Sequence, residues 1–270
     1  MSKRTRRLLM VLLLAIFCAA GVAAVVLRHQ YRASEALYEN AAQMYTRAET
    51  LPAATPKPTP AEEDPAAPAD TEEAPAEERC PISVDFEALR AVNPDVVGWL
   101  YCEGTVINYP VLQGRDNDSY LHHTYDGSYN AAGSIFVEAA NRPGFADANT
   151  IIYGHNMKSG IMFAGLPSWA NQDYYEAHPV FWLLTPEQDY CVELFSGYVT
   201  AATSDTYTIF TGPGEELMNY LRDAAGRSDF KTEVFPESGD RCVVLSTCVY
   251  VFEQSRYVLH GVLRPVPSAE

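Results

Sequence analysis

The chain has 270 residues, with 35 acidic and 19 basic side chains and a formal net charge of −16 at neutral pH. This acidic balance argues against nucleic acid as a partner, because phosphate backbones are bound by clustered lysine and arginine side chains. The length is sufficient for one well-buried domain together with shorter accessory segments.

The N-terminal segment has the composition of a membrane anchor. Residues 8–27 are 20 uncharged, mostly apolar residues, and residues 1–7 contain four basic ones. As a helix, the apolar run would cross a hydrocarbon core of about 30 Å. The preceding positive charges predict a single-pass protein of the cell membrane, with its N-terminus in the cytoplasm and the remaining chain outside. A cleaved signal peptide is the alternative, although its apolar region would be shorter.

Residues 28–79 are predicted to form a juxtamembrane helix followed by a spacer. Residues 28–50 keep a loose helical spacing of apolar side chains. Residues 51–79 consist mostly of Ala, Pro, Glu, Asp and Thr, with seven prolines and no aromatic residue. Such a segment cannot bury enough apolar surface to offset its ordering entropy, and its prolines and like charges favour extended chain. We therefore expect a spacer that holds the following domain away from the membrane.

Residues 80–270 are predicted to form one domain of the mainly β class. Its first element is a short helix over 84–92. Eight later runs are rich in Val, Ile, Tyr and Phe and are separated by turn residues, which indicates a closed barrel or a sandwich. These runs cover 96–102, 106–112, 133–137, 150–153, 180–184, 190–203, 241–246 and 256–264.

Helical patterns interrupt the predicted strands at three places. One covers residues 117–124 and another begins at residue 161. The clearest covers 215–225, where the apolar side chains share one side and Gly226 follows as a stop signal.

The five cysteines beyond the anchor are an odd number, so at least one thiol stays free or pairs between chains. Cys102, Cys191 and Cys242 lie in or beside predicted strands, where a buried and inert thiol is expected. Whether these residues or Cys80 form disulfides is left open. No Cys pair or His–Cys spacing indicates a metal site, and we expect neither a metal nor another cofactor.

Three chemically reactive residues stand at the ends of predicted strands. Cys248 ends a buried run and Arg256 opens the next strand, so a hairpin loop would bring them side by side. His155 follows another strand, with Gly154 allowing a sharp backbone turn. Taken singly, a Cys at a strand end is most often a buried thiol, an Arg at a strand start is most often solvated, and a His in a loop is most often a surface polar group. Together they would supply a nucleophile, a permanent cation and a proton carrier, whereas His260 is expected to face solvent or a polar contact.

This pattern resembles the sortases, cysteine transpeptidases of Gram-positive cell surfaces. Their Thr-Leu-x-Thr-Cys segment, nearby Arg and upstream His have counterparts in Leu245-Ser246-Thr247-Cys248, Arg256 and His155, with Val244 where many members have Thr. The segments that are similar to class B members lie at 97–100, 107–111, 133–136, 153–157 and 215–225, within a resemblance that extends over residues 85–266.

The resemblance implies a closed eight-stranded sortase-type β-barrel with an N-terminal helix and a helix inserted before the Cys strand. It implies an enzyme that cleaves a C-terminal sorting motif after Thr and holds the protein as a thioacyl intermediate on Cys248. An amine of the cell wall or of a pilin would then accept the protein. His155 would protonate the leaving amine and deprotonate the incoming one, and Arg256 would stabilise the oxyanion.

The resemblance also places substrate contacts at Asn117, Leu121 and Ser246, for which ordinary packing or helix capping is the alternative. The implied partners are sorting-signal peptides of surface proteins and an amine nucleophile from a peptidoglycan precursor or a pilin. Two other functions stay open on the residues themselves. One is an extracellular cysteine peptidase that acts mainly by hydrolysis, and the other is a non-catalytic surface binding module.

Overall fold

The structure is a computed structural model that describes residues 3–49 and 79–267. Almost all of the predicted spacer, residues 51–79, lies outside the described residues, as do both extreme ends of the chain.

The predicted anchor and juxtamembrane helix belong to one continuous helix, α1 (Lys3–Tyr45). Within the described part of the chain, α1 is the helix that is long and apolar enough to cross a membrane. This statement rests on its length and composition only. Its C-terminal end differs from the rest, because Tyr38, Ala41 and Tyr45 are buried in the main core. These three residues recur at helical spacing, so one face of α1 docks on the domain.

Two short strands join the flanks of the undescribed segment. β1 (Thr46–Ala48) pairs antiparallel with β2 (Ile82–Val84), and Glu49 N–H donates to the carbonyl of Pro81 at 2.8 Å. Glu49 and Pro81, which flank the part of the chain outside the described residues, therefore lie next to each other on the domain. The C-terminal end of α1 thus already packs on the folded domain before the acidic segment begins, and the spacer role expected for that segment stays a prediction.

A closed barrel of eight strands forms the body of the domain. Its strands are β3 (Val96–Tyr101), β4 (Asn108–Leu112), β5 (Ile135–Val137), β6 (Asn149–Tyr153), β7 (Val180–Leu184), β8 (Tyr190–Ala201), β9 (Cys242–Cys248) and β10 (Ser255–Pro265). They close in the order β10–β8–β7–β3–β4–β5–β6–β9, with β4–β5 and β6–β9 parallel and the other pairs antiparallel. Each strand overlaps one of the predicted runs, and the predicted closed eight-stranded barrel is confirmed.

Short helices fill the connections between strands. They are α2 (Phe86–Val92), α3 (Ser119–His122), α4 (Gln172–Ala177) and α5 (Glu215–Gly226). The Asp85 side chain caps α2 by accepting from Ala88 N–H at 3.0 Å, which starts the helix two residues later than expected. The helix expected from residue 161 does not form, because Met162 adopts a positive φ of 60° that interrupts a right-handed helix. Helical structure begins instead with the 3-10 helix Leu166–Ala170.

The inserted helix α5 packs on the outside of the barrel and builds a second core there. Its buried residues Leu217, Leu221 and Ala224 are spaced so that they share one face. His260 on β10 points into this core and is fully buried, with its Nε2 2.7 Å from the hydroxyl of Tyr220. His260 therefore makes a polar contact, which is one of the two environments expected for it, and does not face solvent.

Candidate active site

The β9–β10 hairpin places Cys248 beside Arg256. Cys248 is the last residue of β9, and the antiparallel register sets its Cα opposite that of Arg256. Directly opposed residues present their side chains on the same face of a sheet. The preceding residues of β9 are buried, whereas Cys248 is half-buried with a free thiol. A thiol and a guanidinium group thus share one face at the rim of the barrel.

The charge of Arg256 is available to a ligand. Its guanidinium Nη1 donates to the carbonyl of Ser255 at 3.1 Å, and it forms no ion pair with a carboxylate among residues 3–49 and 79–267. The side chain is half-buried, which limits the screening of its charge by water.

The parallel pairing of β6 with β9 brings His155 to the same rim. Tyr153 is the register partner of Ser246, so His155 and Cys248 each lie two residues beyond this pair. Two hydrogen bonds continue the contact past the end of β6. Thr247 Oγ1 donates to the carbonyl of Gly154 at 2.8 Å, and Asn156 Nδ2 donates to the carbonyl of Cys248 at 2.8 Å.

A hydrogen bond assigns the tautomer of His155. Its Nε2 lies 2.8 Å from the carbonyl oxygen of Leu121. A carbonyl oxygen can only accept, so Nε2 carries a hydrogen in both the neutral and the charged imidazole. In the neutral ring Nδ1 is therefore the atom that can take up a proton.

Gly154 is required by packing rather than by a left-handed turn. Its φ is not positive, in contrast to the sharp turn expected from sequence. A Cβ at this position would lie 2.5 Å from Ile135 Cδ1 and 2.6 Å from Phe163 Cδ2. Because Gly154 has no side chain, the segment that contains His155 can lie directly on the barrel core.

A cavity of about 360 Å³ opens beside these three residues. Its walls include every site residue that the sequence predicted, so the fold brings His155, Cys248 and Arg256 together with Asn117, Leu121 and Ser246. The remaining lining residues are Asp118, Phe136, Tyr153, Gly154, Ala202, Tyr207 and Thr247.

The three predicted substrate residues differ in their own bonding. Asn117 Nδ2 donates to the Glu138 carboxylate at 2.8 Å, and Ser246 Oγ lies 2.8 Å from the hydroxyl of Tyr207. Leu121 orients His155 through its backbone carbonyl, while its side chain lines the cavity. All three therefore have structural partners as well as access to the cavity.

Tyr153 and Tyr207 are cavity residues that the sequence did not assign to the site. Their rings stack with centroids 6.3 Å apart. Burial raises the pKa of Tyr207, and burial together with the Glu138 carboxylate raises the pKa of Tyr153 well above its ordinary value. Both phenols therefore stay protonated as hydrogen-bonding groups. The alternation along β6 could have identified Tyr153, but no local pattern marks Tyr207.

The other cysteines of the domain have a different environment from Cys248. Burial raises the pKa of Cys80, Cys102 and Cys242 to about 12, and Cys191 is also buried. Thiols with such values do not form the reactive thiolate at neutral pH. In the described ranges, no group of three or more His, Cys, Asp or Glu side chains is arranged to hold a metal ion.

Comparisons with known proteins agree with this geometry. The family model described as a sortase domain matches residues 100–264. Sortase B of Listeria monocytogenes is 42% identical over 183 residues, which cover 66% of this chain and 74% of that protein.

Solved structures show the same similarity. The structure of sortase B from Bacillus anthracis in complex with AAEK1 superimposes with a TM-score of 0.69 at 27% identity, covering 88% of this chain and 99% of that one. A Staphylococcus aureus sortase B–substrate complex superimposes with a TM-score of 0.64 at 30% identity, covering 67% of this chain and 85% of that one.

Proposed function

Because this chain belongs to the sortase family, and within it resembles the class B cell-wall transpeptidases, we propose that it sorts surface proteins through a thioacyl intermediate on Cys248. The enzyme would cleave a C-terminal sorting motif after Thr and transfer the protein to an amine of the cell wall or of a pilin. The observation that carries the proposal is the convergence of three strand ends, with Cys248 opposite Arg256 and Asn156 of the His155 segment bonded to the Cys248 carbonyl.

In the first step, the Cys248 thiolate attacks the carbonyl carbon of the scissile peptide bond. The negative charge that develops on the carbonyl oxygen is stabilised by Arg256, which the structure leaves without a carboxylate partner in its described part. His155 delivers a proton from Nδ1 to the leaving amine as the carbon–nitrogen bond breaks. The products are a thioester on Cys248 and a released C-terminal fragment.

In the second step, an incoming amine attacks the thioester carbonyl. His155 Nδ1, now without its proton, accepts one from the attacking nitrogen. The Cys248 sulfur leaves as a thiolate and a new amide bond links the sorted protein to its acceptor. The constant hydrogen bond from Nε2 to Leu121 keeps the imidazole in one orientation through both steps.

The cavity beside Cys248 is the proposed site of the sorting peptide. Asn117, Leu121 and Ser246 line it together with two stacked tyrosines, which offers an apolar wall with a few polar groups. That composition suits an extended peptide, since apolar walls supply affinity while isolated polar groups select the register. A sortase B of the same fold from Staphylococcus aureus has been solved as a substrate complex, which supports a substrate site on this fold.

We further propose a single-pass membrane protein with a cytoplasmic N-terminus and an extracellular catalytic domain. The exposed apolar part of α1 and the basic residues before it support this topology. If residues 8–27 span the bilayer, the docked face of α1 begins at Tyr38, about 16 Å along the helix from the end of the apolar run, given the helical rise per residue. The catalytic domain would then lie close to the membrane instead of being held away from it.

The test uses the full-length protein in detergent with a panel of sorting peptides. Mass spectrometry should find an acyl adduct on Cys248 whose mass corresponds to the peptide cleaved after Thr. Hydroxylamine, a small amine nucleophile, should then release a hydroxamate. If saturating amine yields only the hydrolysed acid, the peptidase function is favoured; if no peptide forms an adduct or product, the catalytic proposal is wrong.

A further inference from the structure

A carboxylate lies behind the wall of the cavity and takes no part in the proposed chemistry. Glu138 follows β5 directly and is half-buried. Both of its carboxylate oxygens lie 2.8 Å from Asn117 Nδ2, and Oε2 also accepts from the Tyr153 hydroxyl at 3.0 Å. Oε1 accepts in addition from the backbone N–H of Ala140 at 3.1 Å. The Glu138 carboxylate thus contacts two residues that line the cavity, Asn117 and Tyr153.

The bond to Glu138 determines the orientation of the Asn117 side chain. A carboxylate only accepts, so the nitrogen of the Asn117 amide must point toward it. At the other end, Asn117 Oδ1 accepts from the backbone N–H of Ala139 at 2.8 Å. Both ends of the amide are therefore assigned by their partners, and the side chain cannot rotate without losing hydrogen bonds.

The same carboxylate determines the hydrogen-bonding role of Tyr153. The phenol donates its only hydrogen to Glu138, and the raised pKa of Tyr153 keeps that hydrogen in place. The phenolic oxygen then has only lone pairs to offer to a molecule in the cavity. A bound peptide can meet it with an N–H group but not with a carbonyl oxygen.

We propose that Glu138 is a positioning residue of the peptide pocket, which holds Asn117 and Tyr153 so that the Tyr153 oxygen accepts from an N–H of the bound sorting peptide. This inference rests on the proposed function of the cavity and deepens it, since it assigns a hydrogen-bond acceptor to one wall of the peptide pocket. Glu138 acts on substrate binding through these two residues and does not touch the reacting atoms.

A purely structural role would have a different signature. Glu138 also accepts from the backbone N–H of Ala140 in the turn that follows β5, so its loss could loosen the fold as a whole. In that case stability, thiol reactivity, kcat and KM would all change together. A positioning role predicts instead that KM changes while kcat and the reactivity of Cys248 are kept.

The experiment measures kcat and KM of the full-length enzyme in detergent with a peptide that acylates the wild type. Glu138→Ala should raise KM about tenfold, the effect of losing hydrogen bonds to a charged group, with kcat unchanged within about threefold. Glu138→Gln keeps the shape and one accepting oxygen, so it should fold normally and give an intermediate KM. Glu233→Ala, which removes an exposed glutamate outside the cavity, is the matched control and should keep the wild-type KM.

Two further measurements separate the interpretations. The rate of Cys248 alkylation by iodoacetamide, a small probe that does not need the peptide pocket, should match the wild type in both Glu138 variants. The double variant with Glu138→Ala and Tyr153→Phe should raise KM by a smaller factor than the product of the factors in the two single variants, because Glu138 acts through Tyr153.

The outcomes distinguish this inference from the function on which it rests. A wild-type enzyme that acylates no peptide overturns the proposed function before any variant is made. An active wild type with an unchanged KM in Glu138→Ala overturns the positioning role alone. A parallel loss of kcat, alkylation rate and thermal stability in both Glu138 variants also overturns it, in favour of a structural role.

Discussion

Cys248 and Arg256 are register partners across the β9–β10 hairpin, with their Cα atoms opposed at the last residue pair of β9. The hairpin turns through residues 249–254, and the hydroxyl of Ser255 closes it by accepting hydrogen bonds from the backbone N–H groups of Val251 and Phe252. Because Ser255 is itself fully buried, the position of Arg256 depends on backbone pairing and not on a flexible loop. The thiol and the guanidinium are therefore held together before any substrate arrives.

Loss of the Cys248 thiol should abolish activity. We expect Cys248→Ala to form no acyl adduct and no amide product, because the other thiols of the domain are buried. Cys102→Ala is the matched control, since its thiol has a pKa of about 12 and lines no part of the cavity. Mass spectrometry after incubation with peptide measures both variants. An adduct on the Cys248→Ala protein would show that the nucleophile is elsewhere.

Replacement of Arg256 by Lys should lower kcat more than it raises KM. A lysine keeps the charge but cannot reproduce the planar fork of donors, so the oxyanion loses stabilisation in the transition state. We expect kcat to fall by about 10- to 100-fold. Arg264→Lys is a control on the same strand, where the arginine pairs with Glu193 and Asp240 away from the cavity. Equal kinetic losses in the two variants would contradict a specific role for Arg256.

The bond between Asn156 and the Cys248 carbonyl should matter for the alignment of His155 with the thiol. Asn156→Ala removes this bond and should lower kcat about tenfold, with a loss in folding free energy of about 1 kcal/mol. Steady-state kinetics and urea denaturation report the two effects. Asn219→Ala, which removes an exposed contact to Arg222, should change neither quantity. An unchanged kcat in Asn156→Ala would mean that the β6–β9 pairing alone aligns His155.

A methyl group at position 154 should destabilise the fold. In Gly154→Ala the new Cβ would overlap Ile135 and Phe163, and we expect a loss of about 1–3 kcal/mol in unfolding free energy. Gly165→Ala is the control, because Gly165 has ordinary helical backbone angles and open space around it. Denaturant unfolding of both variants gives the comparison. A Gly154→Ala variant as stable as the Gly165→Ala variant would show that the segment can move at little cost.

Burial of His260 should make the domain less stable at mildly acidic pH. Burial, together with the charge of Arg227, lowers the pKa of His260 from 6.5 to about 3 in the folded state. As the pH falls below 6.5, the unfolded chain takes up a proton that the folded state does not bind, so unfolding becomes more favourable. Between pH 7.5 and pH 5 this group should remove about 2 kcal/mol of stability.

The comparison of His260→Phe with the wild type tests that pH dependence. The phenylalanine variant should lose less stability over the same interval, because it has no group to protonate in the unfolded chain. Urea unfolding at several pH values measures the slope directly. Parallel slopes for the two proteins would show that His260 is protonated equally in both states.

Local patterns in the sequence were sufficient for the strands, the inserted helix α5 and the motif that contains Cys248. Strand prediction succeeded because most strands of a closed barrel are buried and rich in β-branched and aromatic residues. Prediction failed at residues 161–164, since the fully buried Met162 adopts a positive φ that leaves no mark in the helical pattern. Sequence alone left open whether His260 faces solvent or a polar contact, because the contact comes from Tyr220 of α5, a distant part of the chain.

The amino-acid sequence alone determined the chemistry that is available to this protein: a cysteine, an arginine and a histidine at strand ends, behind an apolar N-terminal run. Only the tertiary structure decided which side chains support that chemistry. Tyr207 and Glu138 reach the site through the closure of the barrel, and α1 docks on the domain before the acidic segment begins. Sequence reports local propensity, whereas these contacts depend on packing between elements that are far apart along the chain, and that packing exists only when the barrel has closed.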